Sequence, residues 1–264
     1  MAVIFFAIAF LASIAGAITG VGGGIIIKPV IDATNLLQPA QVNFLSGNAV
    51  LAMTIVSLAQ NFIKKGEKID WSRSLFLSIG AAAGGLIGGQ AFKSILRLFP
   101  NALIVKLIQS VILLLMTVSV LIYVRNKHRI RSKDINNPII STLLGTILGF
   151  ISAFLGIGGG PLNIAFLYYF FSMGPKKAAI NSLLVIFFSQ IFNLGNSIVR
   201  NSVPAFDPWN LALMAIGAVA GAMIGRATSS RIRESQVDKF FQSFLLLISL
   251  INVYNIVTTV VSLT

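Results

Sequence analysis

The chain of 264 residues is 56% hydrophobic, with a mean hydropathy of +0.90, and carries 20 Lys plus Arg against 7 Asp plus Glu, a formal net charge of +13. Charged residues make up 10% of it, where a soluble domain has about 25%, so a water-soluble globule is excluded and an all-α integral membrane protein in a lipid bilayer is predicted. The absence of cysteine excludes disulfides, iron–sulfur clusters and Cys-ligated zinc, and one histidine, His128, is too few for a multi-His metal site, so no cofactor or metal is expected.

A spanning helix needs about 20 mainly apolar residues. In chain order the candidate runs are 3–27, 40–62, 74–92, 103–124, 139–155, 178–198, 211–228 and 240–261, with a shorter stretch, 161–171, directly after the fifth. The first run lacks a basic start and continues into a glycine cluster, so it is read as structure rather than as a cleaved signal. The runs are continuously apolar, whereas membrane β-strands alternate. The longest polar segment, 125–137, is a connector. Basic residues punctuate the runs instead of forming patches, which argues against a nucleic-acid partner.

An internal repeat appears at a spacing of 136 to 137 residues. Gly20-Val-Gly-Gly-Gly24 matches Gly156-Ile-Gly-Gly-Gly160, Pro39 matches Pro175, and Ser46 matches Ser182. Ser57 and Gln60 match Asn193 and Asn196, Asp70 matches Asp207, and Gly80, Gly84 and Gly88 match Gly217, Gly221 and Gly225. Two homologous halves are expected, 1–134 and 135–264, each with a glycine-broken, re-entrant helix and about three spanning helices. If all eight long runs simply cross, the 20 Lys and Arg divide evenly between the two sides; if each glycine-rich element turns back, 15 fall on one side. Cytoplasmic loops collect Lys and Arg. The second arrangement is therefore expected, with the halves inverted, the basic loops cytoplasmic and both termini outside.

A run of glycines inside an apolar segment breaks a helix, at about 1 kcal/mol per glycine relative to alanine. Free backbone amides at membrane depth are tolerated only inside protein or beside a water-filled cavity. Half-helices are expected to restart over 25–37 and 161–172, with Pro161 suited to a first turn. Their N-termini offer free N–H groups and a positive dipole end, an anion site. The candidate ligands are Gly20, Gly22, Gly23 and Gly24 with Gly156, Gly158, Gly159 and Gly160. The glycines four apart, from Gly80 and from Gly217, are read as packing seams. No strand precedes the glycines and no acid follows at the spacing a dinucleotide site needs, so that reading is rejected.

Ser46, Ser57 and Gln60 fall within about 60° of one another at 100° per residue, as do Ser182, Asn193 and Asn196, so each set should face the bundle interior. Ser46 and Ser182 are the better site candidates, and Asn48, Asn181 and Gln190 add amides. Lys28, four residues before Asp32, is read either as a cationic ligand for the anion or as an i, i+4 pair with that aspartate. Glu67, Asp70, Asp134, Asp207, Glu234 and Asp238 fall in or beside loops, so no carboxylate is expected buried mid-span.

The chain resembles the TauE/SafE family, also called the sulfite exporter or TSUP family. The resemblance rests on Gly16-Ala-Ile-Thr-Gly-Val-Gly-Gly-Gly24 with Pro29, on Gly149-Phe-Ile-Ser-Ala-Phe-Leu-Gly-Ile-Gly-Gly-Gly-Pro161, and on Ala179-Ile-Asn-Ser-Leu183. Ala165 replaces the proline that would mirror Pro29, and Lys28 is unusual. The resemblance implies an inner-membrane permease for a small sulfur-containing anion such as sulfite or an organosulfonate, not an enzyme. An anion channel, an intramembrane lipid-phosphate enzyme and an assembly protein are the rival readings. A homodimer stays open.

Overall fold

The computed structural model describes residues 2–34, 36–99, 101–157 and 159–263, and these are all-helical apart from turns and one isolated bridge. The first half holds α1 (Ala2–Thr19), α2 (Gly24–Thr34), α3 (Pro39–Ile63), α4 (Trp71–Leu98) and α5 (Ala102–Asn126). The second holds α6 (Pro138–Leu155), α7 (Pro161–Phe171), α8 (Pro175–Val199), α9 (Pro208–Arg231) and α10 (Glu234–Val261). Seven of these helices are long and apolar enough to cross a membrane; Val3–Thr19 and Pro161–Phe171 are shorter. The chain is therefore a multi-pass, all-α membrane protein.

The punctuation in the sequence sets these boundaries. Five prolines, at 39, 138, 161, 175 and 208, each open a helix, where a missing N–H costs nothing. Asp70, Asn137 and Asp207 cap α4, α6 and α9 through side-chain oxygens. The first apolar run divides at the glycine cluster, and α2 stops at Thr34, three residues short of the expected Leu37.

Correspondence between the halves extends to turn geometry. After α3, Lys65 takes φ 47°, with Lys64 N–H bonded to Gln60 O and Gly66 N–H to Asn61 O. After α8, Asn201 takes φ 48°, with Arg200 N–H bonded to Asn196 O and Ser202 N–H to Ser197 O. The same left-handed hairpin is thus built twice, 136 residues apart.

Hydrogen bonds sort the connections into two ends. Lys133 N–H donates to Tyr169 O and Ile135 N–H to Phe170 O, which ties the tip of α7 to the connector before α6. Asp70 N–H donates to Asn181 Oδ1, and Arg73 pairs with Asp134 at 2.8 Å, bringing the starts of α4 and α8 to the same place. Because Lys64, Lys65, Lys68, Lys176 and Lys177 gather here, we call it the basic end. At the other end Gln41 Nε2 reaches Ala205 O, and Lys106 Nζ at the start of α5 reaches Asp32 O near the tip of α2.

Helices α4 and α6 lie against each other, and so do α1 and α9. A side chain at Gly84 would run into the carbonyl of Thr146, and one at Gly221 into that of Phe10. Close backbone approach along small-residue rows is how helices associate where lipid removes the hydrophobic drive. Both seams join one half to the other. Two buried apolar clusters flank the breaks, one around Leu148, Ile157 and Phe241 and one around Ala12, Val50 and Ile180.

Candidate functional site

The second break is built by helix-terminus chemistry. Gly156 ends α6 in the left-handed region (φ 66°), with its N–H on Ala153 O and Ile157 N–H on Ser152 O. That is the two-bond C-terminal motif for which glycine is preferred. Gly160 then caps α7 in an extended conformation with no side-chain cap; Pro161 has no N–H, and Asn163 N–H bonds the Gly160 carbonyl. Gly159 (φ 143°) sits under the Ile186 side chain. Gly158 lies outside the described residues.

A cleft of about 160 Å³ opens at the end opposite the basic one and descends between α3, α4, α6 and α8 to Gly156. Asn48 and Gln190 line it, together with Asn43, Asn193 and Asn196. Lys93 stands at its mouth, donating to Ser202 Oγ at 2.6 Å, with Arg97 and Arg200 near enough to add to the positive field. No carboxylate is among the lining residues. Behind Ser152, which lines both, a closed crevice too tight for a water molecule lies between Gly159, Asn163 and Ser189.

Several polar atoms at this place have no protein partner: both amide atoms of Asn43, Asn163 Oδ1 and Ser189 Oγ. Asn163 is 2% exposed and Ser189 4%. A buried polar atom left dry costs about 1–3 kcal/mol; Asn43 lines the cleft and Asn163 and Ser189 the crevice behind it, so the unpaired atoms lie on both sides of the second break.

The first break is built differently. Gly20 (φ 77°) ends α1, its N–H bonded to Gly16 O, and Gly23 O receives the N–H groups of Ile26 and Ile27. Gly20 packs on the backbone of Ala179, Gly22 (φ 82°) on Ile186 and Val50, Gly23 on Ser13 and Ala12, and Gly24 on the Ile157 carbonyl. The positions matching Ser152, Asn163 and Ser189 are Gly16, Ile27 and Met53, and Ile27 and Met53 are fully buried. Ile27 and Met53 fill the first break with apolar side chains, apart from the buried Ser13 Oγ beside Gly23, where the second carries polar ones.

The remaining sequence candidates divide. Ser46 Oγ donates to Gly156 O at 2.9 Å, so it braces the break. Its counterpart Ser182 is fully buried, with its Oγ lacking a partner among the described residues. Asn181 accepts from Asp70 N–H and from Ser74 Oγ and donates to Lys177 O, which fixes the start of α4. Lys28, 1% exposed, pairs with Asp32 at 3.0 Å, and Lys106 caps the same turn through Asp32 O. Asp32 is thus a buried carboxylate (6% exposed) near the tip of its half-helix. Two lysines beside it offset its charge. Asn43, Ser152, Asn163 and Ser189 were not singled out in the sequence. Their signal was the mismatch between halves, polar in one copy and apolar or glycine in the other.

Two glycine-broken helical pairs packed among membrane-length helices, with a polar cleft ending at one break, define a membrane transporter. The chain belongs to the sulfite exporter TauE/SafE family, whose model matches residues 5–251. It is 24% identical over 268 residues to the probable membrane transporter protein YunE of Bacillus subtilis, covering 93% of this chain and 95% of that one. It is also 28% identical over 173 residues to the probable membrane transporter protein MJ0441 of Methanocaldococcus jannaschii, covering 61% of this chain and 59% of that one. No solved structure matches it.

Proposed function

We propose that the protein carries a small sulfur-containing anion, such as sulfite or an organosulfonate, across the inner membrane by alternating access. The observation that carries this reading is the cleft that descends to Gly156 at the second break, with Asn163 Oδ1 and Ser189 Oγ buried without partners in the closed crevice just behind it. The Ser189 hydroxyl and the Asn163 Nδ2 can donate to an oxyanion, whereas Asn163 Oδ1 only accepts, and the positive end of α7 favours negative charge. Lys93 and its basic neighbours would draw the anion inward. A family name that speaks of sulfite export supports the substrate class.

In this reading the halves 1–134 and 135–264 are inverted repeats. The contacts that support it put the tip of α7 beside the start of α6 at the basic end, and the tip of α2 beside the start of α5 at the other. The basic end then faces the cytoplasm by the positive-inside rule.

The test is uptake into proteoliposomes. Sulfite, thiosulfate and sulfoacetate should enter saturably and compete with one another, with sulfate weaker. Flux proportional to concentration without saturation would indicate a channel, and no flux of any of the four would overturn the proposal.

A further inference from the structure

A second hollow of about 570 Å³ lies at the basic end, lined by Lys65, Lys68, Lys176, Lys177 and Arg226 among others. Its rim matches the rim of the open cleft position by position. At spacings of 136 to 137, Lys176 answers Ala40, Gly66 answers Ser202, Arg226 answers Gly89, Ser229 answers Phe92 and Ser230 answers Lys93, and every one of these lines its own hollow. Below the rim the two diverge. Asn43, Gly47, Asn48 and Gln190 line the open cleft, whereas their counterparts Ala179, Leu183, Leu184 and Thr54 are 0 to 3% exposed and sealed.

Two observations mark the sealed region as a path rather than as core. Ser57 Oγ and Gln60 Oε1 are buried there without partners, and they are the counterparts of Asn193 and Asn196, which line the open cleft. At the top of the seal, Arg226 (9% exposed) donates from Nη2 to Asn61 Oδ1 at 2.8 Å, and Asn61 Nδ2 holds the carbonyl of Glu67 at 2.9 Å. These contacts link α9, α3 and the turn after α3. At the open end Gly89 and Ser197 stand at the places of Arg226 and Asn61, and α4 meets the turn after α8 through Lys93 Nζ and Ser202 Oγ instead, at the cleft mouth rather than across its floor.

We propose that the basic hollow is the second access path to the glycine break, shut in this structure, and that Arg226 bolts it through Asn61. This rests on the transport reading above. The guanidinium is also the first deeply set cation that an anion would meet from that end. An anion taking the place of Asn61 would draw the bolt, so arrival of cargo and opening of the path are one exchange of hydrogen-bond acceptors.

The sequence contains no cysteine, so a single introduced thiol reports one position without background. In purified protein in nanodiscs, Asn193→Cys should react readily with a charged methanethiosulfonate, and Ser57→Cys at least tenfold more slowly. Adding Arg226→Ala or Asn61→Ala should raise the Ser57→Cys rate at least tenfold and lower the Asn193→Cys rate. Asn61→Asp, which gives Arg226 a charged partner, should slow Ser57→Cys below its starting rate. Where Arg226→Ala fails to fold, Asn61→Ala and Asn61→Asp carry the test. An unchanged Ser57→Cys rate in the folded bolt variants would overturn the proposal. Labelling needs no substrate, so a shift in labelling without flux of any sulfur anion would keep the bolt and reject the cargo.

Discussion

Ser46 on α3 gives its hydroxyl hydrogen to the carbonyl of Gly156, 110 residues away, and so fastens one half of the protein to the turning point of the other. The bond is buried and holds a left-handed residue. Ser46→Ala would leave that carbonyl dry, and an unpaired buried acceptor costs about 1–3 kcal/mol. The expected outcome is a lower thermal midpoint in detergent together with slower uptake. An unchanged midpoint would mean that water replaces the hydroxyl.

Ser189→Ala and Asn163→Leu should separate stability from function. Each removes a buried polar atom that the folded protein leaves partnerless, so the unfolding midpoint should hold or rise. Anion affinity should fall roughly tenfold, as expected when a charge-assisted hydrogen bond worth about 1.5–3 kcal/mol is lost. Paired measurements of midpoint and apparent KM check this, and a parallel fall in both would make these residues structural.

The Lys28–Asp32 pair predicts non-additive mutants. Removing one partner of a buried pair strands the other and costs about 3–5 kcal/mol. Lys28→Met should therefore destabilise, by less than that full cost because Lys106 stays beside Asp32, and Lys28→Met with Asp32→Asn should recover part of the loss. Folded double mutant should transport with an unchanged KM, because neither residue lines the cleft. A raised KM would return Lys28 to the binding site.

Lys93 sits at the cleft mouth rather than at its floor. Lys93→Gln should slow anion entry at low salt by a few-fold and matter less as ionic strength rises, since salt screens an exposed charge beyond roughly 10 Å at 0.1 M. Initial rates at low and high potassium gluconate would show this. A defect independent of salt would place the ammonium in direct contact with the bound anion.

Much of the architecture was legible because glycine and proline act locally. The breaks at Gly20 and Gly156, the helix start at Pro161 and the paired seams from Gly80 and Gly217 all follow from backbone requirements that one residue can announce. The site was less legible. Asn43, Ser152, Asn163 and Ser189 are single polar residues in apolar surroundings, and they come together only through the packing of α3, α6, α7 and α8. Asn181 looked equally suitable by residue type, yet it holds the turn at Asp70, a partner 111 residues distant that no helical periodicity reveals. The glycine pattern also made the two breaks look alike, whereas Ile27 and Met53 fill one of them.

The glycine seams of α4 and α9 each wait for a helix that belongs to the other half. During synthesis, the groove on α4 stays open to lipid until α6 has been inserted, and α1 finds its full-length neighbour only when α9 arrives. Neither half can be expected to mature by itself, while two fragments cut in the connector 130–137 and produced together should find each other in the bilayer. Ribosome order and helix interlock thus make membrane assembly a two-handed event that waits for α9.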